Sequence, residues 1–355
     1  MQRIWLRGVA GIAAALAVGL VALTASGTLD ATPDPATGLI AGASALAITI
    51  AIAILAGFLG YAALELLQTG RLDSIASQFG TRTLALMPIA IALNVVLGQT
   101  IGTALRMPIY LDSIGTILVG VLCGPLAGAA TGILANVVWT FGLAGTPLGS
   151  PYAWPFAIVA AEIGLFAGLF GRAGFFRSRP DTPPDRLAAG AAVAVVVLAA
   201  LAYLGILPAY LKGTLIDADL TTVEPFFIAV ALGVAAGVAA AAVVLVVRLV
   251  RERDLGVAYV VVGGAACGVV SALIATPVAA IFFGGVTGGG TDLLVAAFQQ
   301  AGSSLFEAVL QQSVISDPID KTITFVVVFT ILRSLPRRFV VRFPQGERAL
   351  GEREG

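Results

Sequence analysis

The chain has 355 residues, of which 59% are hydrophobic and only 11% are charged, and its mean hydropathy is +1.00. One soluble core cannot bury so much apolar surface, so the composition excludes a soluble domain and predicts an all-α, polytopic membrane helical bundle. The 20 basic and 20 acidic residues balance and histidine is absent, so we expect no nucleic-acid partner, and the commonest proton shuttle and metal ligand is missing.

Apolar runs long enough to cross a lipid bilayer recur along the chain and predict about ten transmembrane helices. We divide the chain into an additional N-terminal helix pair (1–82), a membrane core (83–335) with an inserted helix pair at 187–250, and a cytosolic tail (336–355). The first run also has the composition of a secretory signal, and a cleaved signal is the alternative for it. The predicted helices are Arg7–Ala25, Leu39–Leu64, Thr83–Ala104, Asp112–Cys123, Pro125–Phe141, Tyr152–Gly171, Leu187–Leu207, Phe226–Val247, Val257–Phe283 and Ile319–Leu335.

Two segments depart from a simple transmembrane pattern. Asp112–Cys123 is too short to cross a bilayer upright, and it is followed by Gly124 and Pro125. Because proline lacks an amide donor and disfavours helix in the residue before it, we predict a tight turn there into the next helix. Asp292–Ser316 is amphipathic, which predicts one helix lying in the outer membrane interface, with a full span as the alternative.

The basic residues cluster between alternate apolar runs. With the N-terminus inside, all of them except Arg106, Lys212 and Lys321 fall in inner segments or in the tail. Lysine and arginine mark cytoplasmic loops, so we predict a multi-pass cell-membrane protein with both termini in the cytoplasm.

Polar side chains are rare inside the apolar runs, and most of them lie in the middle or outer half of their predicted helices. Such groups usually face protein or water, because burying them in lipid is costly. We therefore predict a pocket open to the outside that binds a small, partly apolar organic ligand, with no catalytic residue, metal or cofactor. The predicted ligand-binding residues are Asn94, Gln99, Asp112, Asn136, Trp139, Trp154, Glu162 and Asp320.

Structural alternatives exist for most of these residues. The two tryptophans also suit an interfacial aromatic belt, and the two asparagines suit hydrogen bonds between helices. Asp317 and Lys321, at i and i+4, have the spacing of a pair that neutralises itself. Glu162 has the weakest alternative, because no basic residue on its own helix lies within reach at its depth.

Two stretches resemble the membrane-embedded substrate-binding (S) subunits of energy-coupling factor (ECF) vitamin transporters. They are Met107–Trp139, MPIYLDSIGTILVGVLCGPLAGAATGILANVVW, and Ser316–Phe339, SDPIDKTITFVVVFTILRSLPRRF. The resemblance implies about six helices around an outward-facing pocket, which is capped by the loop after the first core helix, here Leu105–Leu111. It also implies two partners, a transmembrane scaffold subunit and a pair of cytosolic ATPases. The chain is nearly twice the usual size for this group, which makes it an enlarged variant.

Three functions remain open from the sequence. The first is a substrate-capture subunit that performs no chemistry, which agrees with the lack of a GxxxxGK[ST] nucleotide-binding loop. The second is a stand-alone ion-coupled transporter or a membrane sensor, in which Asp112 or Glu162 carries a proton. The third is a membrane transferase, but the inner segments offer it no convincing carboxylate pair or metal cluster.

Overall fold

The computed structural model describes residues 43–105, 109–179, 182–215, 225–251, 253–300 and 302–350, together with single positions between 7 and 21. Within these ranges the structure contains helices and turns but no strand. Most of the predicted first helix, Arg7–Ala25, lies outside the described residues, as do 106–108 of the predicted capping loop and the last five residues of the tail.

We number the described helices in chain order. They are α1 (Ala43–Thr69), α2 (Asp73–Ala76), α3 (Thr81–Leu97), α4 (Ile114–Cys123), α5 (Pro125–Val137), α6 (Ala157–Arg172), α7 (Pro184–Leu215), α8 (Pro225–Arg251), α9 (Gly256–Phe283), α10 (Asp292–Gln300), α11 (Leu305–Ser334), α12 (Arg337–Val340) and α13 (Gly346–Leu350). A π-helical segment, Gly98–Ala104, continues α3, and a second, Val138–Gly142, continues α5. A short 3₁₀ turn, Trp154–Phe156, leads into α6.

Five helical segments of the described chain are long and apolar enough to cross a membrane, which is consistent with a membrane location. They are Thr81–Ala104, Pro125–Gly142, Trp154–Arg172, Pro184–Leu204 and Gly256–Phe283. Their length and hydropathy agree with the all-α bundle that the composition predicts.

The short helix α4 lies at the centre of the bundle, between α3, α5 and α6. All of its residues except Leu118 are buried. Ten residues of helix extend about 15 Å, which is half of the roughly 30 Å hydrocarbon layer of a bilayer. Because α4 covers only half of this depth, space remains in the bundle beyond its N-terminus.

The predicted turn between α4 and α5 is present. Gly124 has a φ of +128°, a conformation that other residues rarely adopt, and Pro125 is the first residue of α5. The Gln78 side chain accepts a hydrogen bond from the backbone amide of Leu126 (2.9 Å), which satisfies one free donor at the start of α5.

The prediction of a single interfacial helix over Asp292–Ser316 is wrong. The helix α10 ends at Gln300, Gly302 has a φ of +99°, and α11 then begins at Leu305. Ser304 and Glu307 start α11 with a capping box, in which each side chain bonds to the other residue's backbone amide. The helix predicted to begin at Ile319 therefore begins fourteen residues earlier, as the 30-residue α11.

Helices α9 and α11 form the most extensive helix pair of the described chain. A methyl group on Gly268 of α9 would lie 2.3 Å from Pro318 Cα and 2.5 Å from the Asp317 carbonyl oxygen. Only glycine allows this approach, since real Cβ contacts are not so short. The close packing fixes the position of the 317–321 segment of α11, which carries several charged side chains.

The arginines of the described chain all lie at one end of the bundle, which we call the arginine-rich end. There the Arg333 guanidinium pairs with Asp254 at 3.5 Å, and Arg82 donates to the backbone carbonyl of Arg342 at 3.0 Å. Arg7 pairs with Glu65 at 3.0 Å near the end of α1. Helices α3, α5 and α9 start at this end and run to the opposite one.

Candidate ligand-binding cavity

A cavity lies at the end of the bundle opposite the arginines, in the space beyond the N-terminus of α4. Its volume is about 120 Å³, several times what one water molecule needs. Helices α5, α6, α9 and α11 and the loops before α4 and α10 supply its walls. The polar and aromatic lining residues include Tyr110, Asp112, Ser113, Asn136, Trp139, Tyr152, Phe156, Ser271, Thr287, Thr291, Asp292, Gln312, Ser313, Asp317 and Lys321.

Asp320 holds the loop that precedes α4 in place. Its Oδ1 accepts hydrogen bonds from the backbone amides of Tyr110 (3.0 Å) and Leu111 (2.9 Å). Leu111 has a φ of +51°, which is unusual for a residue with a side chain and is kept only where surrounding contacts enforce it. Asp320 itself does not line the cavity, so its observed part is to fix the loop rather than to face the open space.

Lys321 is buried and joins this loop to α11. Its Nζ lies 2.5 Å from Asp320 Oδ2 and 3.7 Å from Asp112 Oδ1, and it donates to Ser113 Oγ at 3.1 Å. The ammonium therefore compensates two carboxylates and ties the start of α4 to the middle of α11. Lys321 and Asp317 form no salt bridge in the described structure, so the close pair that their i, i+4 spacing suggests is absent, and the ammonium attracts the Asp317 carboxylate only from a longer distance.

Asp317 lines the cavity and has no salt bridge among the described residues. Its Oδ2 is buried and has no hydrogen-bond partner among the described residues. A carboxylate oxygen in this situation is unusual, because most buried polar groups are hydrogen-bonded.

Three of the predicted ligand-binding residues line the cavity together: Asp112, Asn136 and Trp139. The Asp112 side chain is 29% exposed. Asn136 donates to the carbonyl of Gly132 in its own helix (3.1 Å). Trp139 is only 7% exposed, and its indole Nε1 has no hydrogen-bond partner in the described part of the chain.

The position of the Trp139 ring depends on Gly98, the first residue of the π-helical segment after α3. A methyl group at Gly98 would lie 2.4 Å from the Trp139 ring and 2.8 Å from Asp112 Cβ. The absence of a side chain there lets the indole and the Asp112 side chain lie against the same backbone position.

The other predicted residues do not line the cavity. Asn94 connects α3 to the first turn of α4, donating to Thr116 Oγ1 (2.8 Å) and accepting from the Gly115 amide (2.7 Å). This is the hydrogen bonding between helices that we gave as the alternative for the asparagines. Gln99 donates to the carbonyl of Pro147 (3.2 Å). Trp154 is 44% exposed and packs edge-on against Phe282. Asp320, as described above, lies behind the wall.

Glu162 also lies behind the cavity wall. Its Oε2 accepts a hydrogen bond from Ser271 Oγ (2.7 Å), and its Oε1 accepts a weaker one from the thiol of Cys267 (3.8 Å). Ser271 lines the cavity, so Glu162 orients a lining hydroxyl instead of facing the open space. Cys267 is a buried free thiol, as is Cys123.

The loop after α9 covers the cavity at the end of the bundle opposite the arginines. The hydroxyls of Tyr110 and Thr291 are hydrogen-bonded to each other, and the Gly290 amide donates to the carbonyl of Gly102 (3.2 Å). Burial raises the pKa of the Tyr110 phenol well above its usual value, so the hydroxyl stays protonated. These contacts join the loop after α9 to the loop before α4.

Among the residues of α11, sequence reasoning selected Asp320 for the ligand site and missed Ser313, Asp317 and Lys321, which line the cavity. Ser313, Asp317 and Lys321 follow one another at four-residue intervals and form one polar stripe on an otherwise apolar helix. The signal was the capping box at Ser304, which shows that a single helix carries all three residues. In the described chain, no three residues of the His, Cys, Asp and Glu types are arranged to hold a metal ion.

The fold and the cavity define a class of protein: an all-helical protein with several helices able to cross a membrane and a polar and aromatic chamber at one end. A scan against protein-family models found no matching family, and searches of curated proteins and of solved structures found no match.

Proposed function

We propose that this protein is the membrane substrate-binding subunit of an ECF-type importer, which captures a small organic, vitamin-like ligand from the outer face. The supporting observation is the cavity at the end of the bundle opposite the arginines. In this proposal the protein performs no chemistry on its ligand. A transmembrane scaffold subunit and a cytosolic ATPase pair supply the energy for uptake.

The proposed topology follows from the distribution of charge. If the arginine-rich end faces the cytoplasm, as the positive-inside rule expects, the cavity faces the outside of the cell. The chain then crosses the membrane about ten times, with both termini in the cytoplasm.

The positions of the two resembling stretches also support the proposal. Met107–Trp139 supplies Asp112 and Trp139 to the cavity, and Ser316–Phe339 supplies Asp317 and Lys321. The stretches are far apart in the chain but meet at the same cavity, as expected if their pattern reflects a shared binding site. The chain has no nucleotide-binding loop of its own, which agrees with dependence on partner ATPases.

Ligand binding is tested by purifying the full chain in mild detergent and identifying small molecules released on denaturation by mass spectrometry. The identified compound is then titrated into the wild type and the Asp112→Asn and Glu162→Gln variants. We expect Asp112→Asn to weaken binding the more, since Asp112 lines the cavity and Glu162 does not. Equal wild-type affinity in both variants would remove the cavity as the binding site.

An ion-coupled transporter is the second candidate, and the buried Glu162 and Asp317 carboxylates favour it, because proton relays in membranes use such groups. Uptake into proteoliposomes separates the two functions. Uptake that needs the scaffold subunit, the ATPase pair and ATP supports the importer. Uptake by the chain alone, driven by a pH gradient, supports the ion-coupled transporter.

A further inference from the structure

The charged groups around the cavity are unequal in number. Asp112, Asp292 and Asp317 line it, whereas Lys321 is the one basic side chain among the described lining residues. Two more carboxylates, Asp320 and Glu162, lie directly behind the wall. The chemistry of a ligand depends on which of these charges are already compensated within the protein.

Asp292 is compensated by the loop that follows α9. Its Oδ1 accepts from the Thr287 amide (2.9 Å) and hydroxyl (2.8 Å), and its Oδ2 accepts from the Gly288 amide (2.8 Å). Asp112 is compensated by Lys321 and by the nearby N-terminus of α4, where the helix dipole favours a negative charge. Asp292 therefore needs no partner from outside the protein, and Asp112 has a counter-ion that it shares with Asp320.

Asp317 differs from both. Its Oδ2 is buried without a hydrogen-bond partner in the described chain, and the neighbouring ammonium of Lys321 is paired with Asp320 and Asp112. A carboxylate in a low-dielectric interior without a close counter-ion is destabilised and tends to be protonated, so a positive charge placed in the cavity stabilises the ionised form of Asp317.

The aromatic side chains add a second requirement. Trp139 is 93% buried (7% exposed) and presents an indole N–H without an acceptor in the described structure. Tyr152 and Phe156 form part of the same wall and both pack against Phe283. Aromatic faces attract organic cations, and a buried indole N–H without an acceptor gains a hydrogen bond when a ligand supplies one.

We propose, building on the binding function above, that the ligand is a small organic cation with two recognition points. Its positively charged nitrogen group pairs with Asp317, and a carbonyl or similar acceptor on the same molecule receives the hydrogen bond of Trp139 Nε1. The assignment rests on two residues of one aromatic-walled cavity in the described chain: Asp317, which has no salt bridge and whose Oδ2 has no hydrogen-bond partner, and Trp139, whose indole N–H has no acceptor.

The test compares three probes of the same shape and different charge. 1-Methylnicotinamide carries a cationic ring nitrogen and an amide carbonyl, 3-methylbenzamide is its neutral isostere, and 3-methylbenzoate is the anionic one. Binding to the purified full chain is measured by calorimetry up to about 10 mM, since fragments of this size bind weakly. We expect the cation to bind at least about tenfold more tightly than either isostere.

Variants then assign the preference to its residues. Asp317→Asn is expected to abolish the preference for the cation, and Asp317→Glu to retain it. Trp139→Phe is expected to weaken the cation and the neutral amide by similar factors, because both carry the acceptor. Glu307→Gln is the matched control: it removes one negative charge from the same helix at an exposed position, and glutamine keeps the capping box.

Each outcome decides the proposal. Equal or tighter binding of the neutral or anionic probe overturns the cation assignment but leaves the binding function in place. A preference that survives Asp317→Asn in a variant that elutes and melts like the wild type overturns the role of Asp317. Failure of all three probes to bind overturns the assignment too, and the uptake experiment above then judges the binding function separately.

Discussion

Lys321 is the residue on which the arrangement of the cavity depends most. One buried ammonium contacts Asp320, Asp112 and Ser113, which belong to α11 and to the segment before α4. Truncation of one partner in a buried ion pair leaves the other charged and desolvated, which costs more than the pair itself contributes. The electrostatic order of the cavity therefore rests on a single side chain.

We expect Lys321→Met to lower the free energy of unfolding by about 3–5 kcal/mol, because two carboxylates lose their counter-ion. Adding Asp320→Asn should restore part of this loss, since asparagine keeps an oxygen for the Tyr110 and Leu111 amides but removes a buried charge. Denaturation of both single variants and the double variant gives the coupling energy. Strictly additive effects would show that the ion pair seen in the structure does not contribute in solution.

Gly98 is a second single residue on which the shape of the cavity depends, because Trp139 and Asp112 lie against it. We expect Gly98→Ala to weaken binding of the co-purified ligand by about tenfold or more, because the new methyl group displaces the Trp139 ring or Asp112. Gly80→Ala is the matched control, as a methyl group there meets no atom within 4 Å. Titration of both variants measures the effect, and equal affinities would contradict the proposed position of the indole.

At the scale of elements, the start of α11 decides what the cavity contains. Because α11 begins at Leu305, the polar residues Ser313 and Asp317 lie on a rigid helix that packs against α9. The short helix α4 is equally important. Because it has only ten residues, it leaves open the space that these side chains line. Two unusual helix lengths thus produce one cavity.

The capping box provides a test of this helix boundary. We expect Ser304→Ala to destabilise the protein by about 1 kcal/mol and to speed hydrogen exchange of the amides in the first turn of α11. Ser303→Ala is the control, because the Ser303 side chain makes only a long hydrogen bond to Gln311 (3.4 Å) among the described residues and takes no part in the cap. Hydrogen exchange read by mass spectrometry should distinguish the two variants. Unchanged protection in Ser304→Ala would place the start of the helix elsewhere.

At the scale of the whole molecule, the chain has two chemically different ends. Arginines and their carboxylate partners lie at one end, and the cavity with its aromatic and polar lining lies at the other. Membrane insertion responds to the distribution of Lys and Arg, so this asymmetry is the physical basis of the orientation that we propose.

Single cysteines test the orientation in whole cells, after Cys123 and Cys267 are replaced by alanine. Ala144 is exposed in the loop after α5 at the cavity end, and Ser334 is exposed at the last turn of α11. We expect a membrane-impermeant thiol reagent to label Ala144→Cys in intact cells and Ser334→Cys only after permeabilisation. The reverse pattern would invert the proposed topology.

Local chemistry allowed several features to be predicted from the amino-acid sequence. Apolar run length predicts membrane-spanning helices, and Gly124 followed by Pro125 predicts the turn between α4 and α5, because these properties depend on neighbouring residues alone. The capping box at Ser304 is equally local. The predicted start of this helix at Ile319 does not take it into account and is therefore wrong.

Only the tertiary structure decided which polar groups share the cavity. Asp317 and Asp320 are three residues apart, yet one faces the open space while the other binds amides 210 and 209 positions away in the chain. Asp112, Asn136 and Trp139 line the cavity, whereas Asn94 and Glu162 lie in the packing around it. Composition and hydropathy determine that the chain forms helices that are long and apolar enough to cross a membrane. The rotation and depth of each helix follow from close packing with distant segments, and these decide where every polar side chain points.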